Sequence, residues 1–170
     1  ERQQTLESLR QSSEVQPEMR SEPATFKVSI MFIDMVGFSS AAETMRGEKI
    51  FNLLSHQMLA MITIIEEHQG VVDRSLGDGL LCYFPHGERH HAVRAWEVAR
   101  KIQQLVIDAV LATQGAKERS RLMPLRIGIH SDEVLLGNLG GGSRIDFTMV
   151  GKGVNLANRL EQACAPYRIM

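Results

Sequence analysis

Val28-Ser29-Ile30-Met31-Phe32-Ile33-Asp34-Met35-Val36-Gly37-Phe38-Ser39 is the stretch on which the fold turns. From Val28 to Ile33 every residue except Ser29 is apolar, the pattern of a strand buried on both faces. The run delivers one carboxylate, Asp34, at its end. Gly37 and Ser39 follow, a turn residue and a helix N-cap type. A strand, an acid and a turn into a helix bring oxygen ligands, backbone N–H groups and a helix N-terminus together, and metal-bound phosphate favours such a place. Taken alone, the stretch equally fits a lone Asp that caps a helix.

The surrounding chain has 170 residues, enough for one domain with a real core. Its apolar fraction of 44% and charged fraction of 23% are ordinary for a soluble globular domain. The formal net charge of -1 argues against a general nucleic-acid binder. Cys82 and Cys164 have neither CxxC spacing nor a disulfide framework, so they read as inert thiols of a reducing compartment. No signal peptide and no membrane-spanning apolar run is present, and a cytoplasmic location is expected, or the cytoplasmic side of an anchored protein.

Residues 1–25 are polar and interrupted by Pro17 and Pro23, and read as a linker or the end of an upstream signalling helix. A strand over about 27–34 is followed by a short helix capped by Ser39 or Ser40 and ended by Gly47. Ile50, Leu53, Leu54, Met58, Met61, Ile62 and Ile65 then recur at helical spacing over about 48–68, with Gly70 as the stop. Two apolar runs flank Gly77-Asp78-Gly79, the turn chemistry of a hairpin with a carboxylate at its tip. His86, His90 and His91 introduce a helix over about 89–114, but their spacing lacks a closing set of zinc ligands. A charged loop over 114–121 leads to a strand from Leu122 to His130. Ser131-Asp132-Glu133 reads as a turn before the extended Val134-Leu135-Leu136. The glycine-rich 137–143 segment lacks the Lys-Ser/Thr of a Walker loop and reads as a flexible arm or hairpin end. A strand at Asp146–Val150, a helix over about 154–164 and the onset of a strand at Tyr167–Met170 complete the chain. The order βααββαββα predicts a palm-like, ferredoxin-like α+β fold, with a mixed, largely antiparallel sheet and helices over one face.

Four fragments in order resemble the motifs of the class III nucleotidyl cyclase catalytic domain, in particular its bacterial adenylate-cyclase-like members. Phe32–Ser39 is similar to the first metal motif, and Asp73–Gly79 to the second metal hairpin. Arg126–Ser131 resembles the strand leading to the dimer arm. Phe147–Glu161 is similar to the motif that contacts base, ribose and phosphate. The resemblance covers about 27–165 and implies a catalytic domain over 26–170, incomplete at its C-terminus.

The resemblance implies roles position by position. Asp34, Asp78 and the backbone carbonyl of Ile33 match the metal ligands for two divalent cations, Mg²⁺ or Mn²⁺. Gly37 and Phe38, in the turn after Asp34, match the substrate-binding segment that offers backbone N–H groups to the phosphates. Arg74 stands where adenylate cyclases usually carry a purine-reading lysine, and Thr148 where the base is contacted. Asn155 matches the ribose-orienting residue and Arg159 the transition-state arginine. The implied reaction converts ATP to cyclic AMP and pyrophosphate by attack of the ribose 3′-hydroxyl on the α-phosphorus. The implied partner is a second copy of the chain: one subunit supplies the aspartates, and the other supplies Arg74, Thr148, Asn155 and Arg159. An upstream regulatory domain is also implied, with no nucleic-acid or membrane contact.

Three positions depart from the pattern. Arg74 replaces the lysine, and Asp132 stands where a small Gly usually follows His-Ser. The final strands of the family domain are missing. A guanylate or relaxed-specificity cyclase, and an inactive dimerising or nucleotide-sensing module, remain as alternatives. A palm-fold diguanylate cyclase is a poorer rival, because Leu76-Gly77-Asp78-Gly79 does not supply the Gly-Gly-Asp/Glu-Glu-Phe turn it needs.

Overall fold

A computed structural model describes residues 23–112, 122–141 and 144–170, with backbone alone at 140, 141 and 144–146. The expected linker over residues 1–25 lies outside the described residues except for its last three. The expected loop over 114–121 lies wholly outside them. The elements are β1 (Ala24–Met35), α1 (Phe38–Thr44), α2 (Gly47–Glu67), β2 (Val71–Leu76), β3 (Gly79–Phe84), α3 (His91–Ala112), β4 (Leu125–Gly141), β5 (Arg144–Val150), α4 (Lys152–Ala163) and β6 (Arg168–Ile169). This is the expected order, with the final strand begun. None of the described helices is long and apolar enough to cross a membrane.

The sheet runs β2-β3-β1-β4-β5, and β6 lies parallel to β4 while every other pairing is antiparallel. β1 is central, which is why its apolar run is continuous. Alternation splits its side chains between two cores. Met31, Ile33 and Met35 join Leu80, Cys82, Phe84, Leu125 and Ile127 under α2 and α3. Val28, Ile30 and Phe32 join Leu81, Tyr83, Val134, Leu136, Met149 and Ala157 of α4. Helices therefore cover both faces, and the expectation of one covered face is corrected. The apolar stripes of α2 and α3 take one side, and the small residues of α4 let it lie close on the other.

Polar residues in these layers have specific partners. Ser29, the one polar residue of the opening run, has its Oγ 2.8 Å from His91 Nδ1 and 2.6 Å from Ser131 Oγ. His91 opens α3 fully buried, and its ring stacks on His90. Arg94 donates to the carbonyls of His68 and Gln69, and so satisfies carbonyls at the end of α2. It also bonds the carbonyls of Pro85 and Arg89.

Local expectations fail where tertiary pairing outweighs propensity. Ser131-Asp132-Glu133 is not a turn but continuous β4, paired with Ser29, Val28 and Lys27 of β1. The Ser131–Ser29 hydroxyl contact lies on that pairing. Neither Ser39 nor Ser40 caps α1. The N-cap is Gly37, whose φ of 82° is the left-handed region that favours glycine, and no side chain caps the helix. At the end of α2 the left-handed residue is Gln69 (φ 57°), and the Gly70 N–H then returns to the Ile65 carbonyl.

α4 is fixed to the sheet at two points. Gly128 faces it, and a Cβ there would sit 2.5 Å from the Ala157 carbonyl oxygen and closer still to the Glu161 amide nitrogen. Arg126, two residues earlier on the same face, has its Nε 2.6 Å from Glu161 Oε1. That N–H is directed at Asp34 instead, at 3.0 Å, so Glu161 Oε1 is buried in ionic contact with no aligned hydrogen bond. Burial therefore prevails and raises the Glu161 carboxyl above its ordinary range, with the Arg126 charge opposing it.

Two outcomes are expected. Gly128→Ala lowers the unfolding free energy by about 2–3 kcal/mol in urea titration, and a wild-type midpoint would refute the close approach. A raised folded pKa means that the folded chain holds its proton longer than the unfolded one. Stability is then lost as pH rises from the unfolded value of 4.5 through the folded value. Glu161→Gln should match wild type near pH 4 and become the more stable protein as pH rises. Urea midpoints that stay together, or separate in the opposite sense, would contradict this.

Candidate active site

The β1 register places Asp34 opposite Gly79 on one side and Arg126 on the other. Asp78 precedes Gly79 in the β2–β3 turn, where Gly77 takes a φ of 71°. Without a side chain at 79, the turn closes on β1: a Cβ there would sit 2.7 Å from the Ile33 carbonyl oxygen and 3.6 Å from Asp34 Oδ1. Two carboxylates and one carbonyl, three of the sequence candidates, are thus gathered at one end of the central strands. Burial is the main cause that raises the Asp78 carboxyl above its ordinary range. A backbone hydrogen bond opposes it, and the neighbouring Asp34 charge adds to it.

Arg126 answers part of that charge. Its Nη2 lies 2.8 Å from Asp34 Oδ2, and its Nε donates to the same oxygen. Oδ1 of Asp34 is left on the side of Gly79 and the hairpin. This donor set is hard oxygen, of the kind that Mg²⁺ or Mn²⁺ takes. Among the described residues no three His, Cys, Asp or Glu side chains are grouped as a cage. Two carboxylates and a carbonyl fit an ion that completes its shell from water and phosphate. The turn beyond Asp34 runs through Gly37 into Phe38, the first residue of α1. The N–H of Val36 is taken by the Pro124 carbonyl, and the Gly37 carbonyl accepts from Ala41.

A second group forms where β2 and β5, at the two ends of the strand order, approach each other. Arg74 Nη2 donates to Thr148 Oγ1, which brings together two more sequence candidates. Arg74 Nε also donates to Asp73 Oδ2 at 2.6 Å. Adjacent strand residues normally point to opposite faces. Here the register shifts between Val72, opposite Cys82, and Arg74, opposite Leu81, so Asp73 is the extra residue of a β-bulge.

Asn155 and Arg159 stay apart from both groups in one respect. On α4 the buried residues are Gly153, Ala157 and Glu161. Asn155 and Arg159 are exposed and lie two residues from these, about 200° round the helix axis. They share the face turned away from the sheet that bears Asp34. Asp132 packs against the first turn of the helix, where a Cβ on Gly153 would meet its Cβ at 2.5 Å.

Arg126, Glu161 and Asp73 join these groups without belonging to the sequence candidates. The signal for Arg126 was present, because an arginine interleaved in an apolar strand needs an acid beside it. Its partner became identifiable only through the β1–β4 register.

Comparison with known proteins agrees with this architecture. Residues 21–170 match the family model of the adenylate and guanylate cyclase catalytic domain. An adenylate cyclase of Anabaena cylindrica is 31% identical over 144 residues, 85% of this chain and 28% of that protein. Adenylate cyclase 1 of Rhizobium meliloti is 26% identical over 140 residues, 79% of this chain and 20% of that protein. The chain thus spans roughly a quarter of the length of these relatives. Among solved structures, the adenylyl cyclase CyaB from P. aeruginosa superposes with a TM-score of 0.79 at 27% identity, over 87% of this chain and 77% of that one. The guanylyl cyclase Cya2 superposes with a TM-score of 0.75, also at 27% identity, over 89% and 76%. The match over nearly the whole described domain, carried by this sheet and these helices, means that the chain belongs to the adenylate and guanylate cyclase catalytic domain family.

Proposed function

We propose that the domain converts ATP to cyclic AMP and pyrophosphate at sites shared between two copies of the chain. The observation that carries this reading is the division within one chain. Asp34 and Asp78 converge at the strand ends, while Asn155 and Arg159 occupy the outward face of α4. A single chain therefore does not turn its own arginine toward its own aspartates, and a symmetric pair supplies both halves twice.

Asp34, Asp78 and the Ile33 carbonyl would hold the divalent cations that this family typically uses. Those ions, when bound, lower the pKa of the ribose 3′-hydroxyl and neutralise the triphosphate. Arg126 pairs with Asp34 Oδ2 and so orients that carboxylate. The Gly37 and Phe38 amides face the phosphates. Asn155 of the second chain orients the ribose. Arg159 of that chain donates to the oxygens on the α-phosphorus, where negative charge grows as the 3′-oxygen attacks and pyrophosphate leaves. Arg74 donates to the unprotonated N1 of adenine, and Thr148 accepts from its exocyclic amine.

The likeness to a guanylyl cyclase at 27% identity gives GTP a place in the test. The purified protein is incubated with ATP or GTP and with Mg²⁺ or Mn²⁺. Cyclic AMP formed preferentially supports the proposal, cyclic GMP transfers the assignment to a guanylate cyclase, and no product favours a non-catalytic module. Within the same assay Asp34→Ala should abolish turnover, and Arg159→Ala should reduce it about 10²–10³-fold. An equimolar mixture of the two variants should regain part of the activity, because one intact site forms in the mixed dimer. A mixture as inactive as its components would overturn the shared-site model.

A further inference from the structure

We propose that Asp73 is a positioning residue for base selection, which clamps Arg74 so that a single edge of its guanidinium meets the purine. The proposal rests on the nucleotide-cyclase reading of this site and assigns a residue to which that reading gives no part.

Three observations support it. The β-bulge after Val72 turns Asp73 and Arg74 toward each other, although they are neighbours in a strand. The Asp73 side chain is only 1% exposed while that of Arg74 is 46% exposed, so the acid forms the base of the contact and the arginine its open edge. Asp73 Oδ2 accepts from Arg74 Nε and lies 3.4 Å from Thr148 Oγ1, to which Arg74 Nη2 also donates. The guanidinium is therefore held at two of its three nitrogens.

This arrangement costs stability. Asp73 Oδ1 is buried with no hydrogen-bond partner among the described residues. A buried carboxylate with an orphaned oxygen is unfavourable unless its position serves something else. What it serves is the direction of the remaining donors. Arginine carries five N–H groups. With Nε on Asp73 and one Nη2 hydrogen on Thr148, three N–H groups remain, two on Nη1 and one on Nη2, and the two contacts fix the direction they take. A donor fixed there complements adenine N1, which is an acceptor, and opposes guanine N1, which carries hydrogen. An unclamped guanidinium is free to rotate and present its two-pronged edge to guanine O6 and N7, the pairing that arginine most often makes with that base. Asp73 thus gives the arginine one fixed donor direction in place of a freely turning fork.

The test is Asp73→Asn, alone and in an Arg74→Lys background, with kcat and KM measured separately for ATP and GTP. Asp73→Asn should raise KM for ATP and lower the ATP-over-GTP ratio of kcat/KM by roughly tenfold. The thermal midpoint should be unchanged or higher. In the Arg74→Lys background the same substitution should leave the ratio nearly unmoved, because a lysine offers no fork to clamp. An unchanged ratio in the single variant overturns the proposal. So does an equal change in both backgrounds, or a loss of activity that follows a lowered midpoint. If the wild-type protein forms no cyclic nucleotide, the cyclase reading fails by itself. Calorimetric titration of the same four proteins with ATP and with GTP then decides the role of Asp73, with a shift in relative affinity confined to the Arg74 background as support.

Discussion

The pairing of β1 between β3 and β4 is the constraint on which the rest of the molecule depends. One register places Asp34 against Gly79 and against Arg126. A slip of one residue on either side would send Asp34 into the α2–α3 core and expose Met35 or Ile33 in its place. The two cores prevent that slip. Each holds every second side chain of β1, and both would be disrupted together. Ser29 adds a polar lock, since its hydroxyl meets His91 and Ser131 only in the observed register. The position of the carboxylate is thereby set by hydrophobic packing along the whole strand.

A strand buried on both faces has few places where charge is tolerated, and the protein concentrates its charge at the strand ends. Asp34, Asp78, Arg126 and Glu161 form one such cluster, with the arginine between acids from β1 and α4. The Asp78 and Glu161 carboxyls are both raised, with burial as the first cause. Three acids face a single arginine in this cluster. A cation held by Asp34 and Asp78, as proposed, would offset that excess of negative charge.

Much of this was legible in the sequence, for local reasons. The apolar run at 28–33, the stripe at 50–65 and the Gly77-Asp78-Gly79 turn announce their structures through periodicity and turn chemistry alone. Ser131-Asp132-Glu133 was misread because its composition favours a turn, whereas pairing with β1 holds it in a strand. The caps were misread because Ser39 and Ser40 have the right chemistry, but the chain enters α1 through a left-handed Gly37. The site was legible as a list of residues and illegible as a geometry. No local pattern reveals that Arg126 reaches Asp34, or that a bulge turns Asp73 onto Arg74. Both depend on registers fixed by residues far away in sequence.

The geometry of α4 fits the proposed sharing of sites between two copies of the chain. Glu161 and Ala157 bind the helix to the strand of Arg126, and so to the carboxylate end of β1. Asn155 and Arg159 leave the same helix on its opposite side. The helix cannot roll to bring Arg159 inward without withdrawing Glu161 from Arg126 and driving its backbone off Gly128, where there is room for no more than a hydrogen. The contacts that hold α4 on the sheet therefore also hold Asn155 and Arg159 on its outer side. Under the proposed shared-site arrangement, an arginine fixed outward on a rigid element is placed for a neighbour, and that placement follows from packing rather than from any property of the arginine.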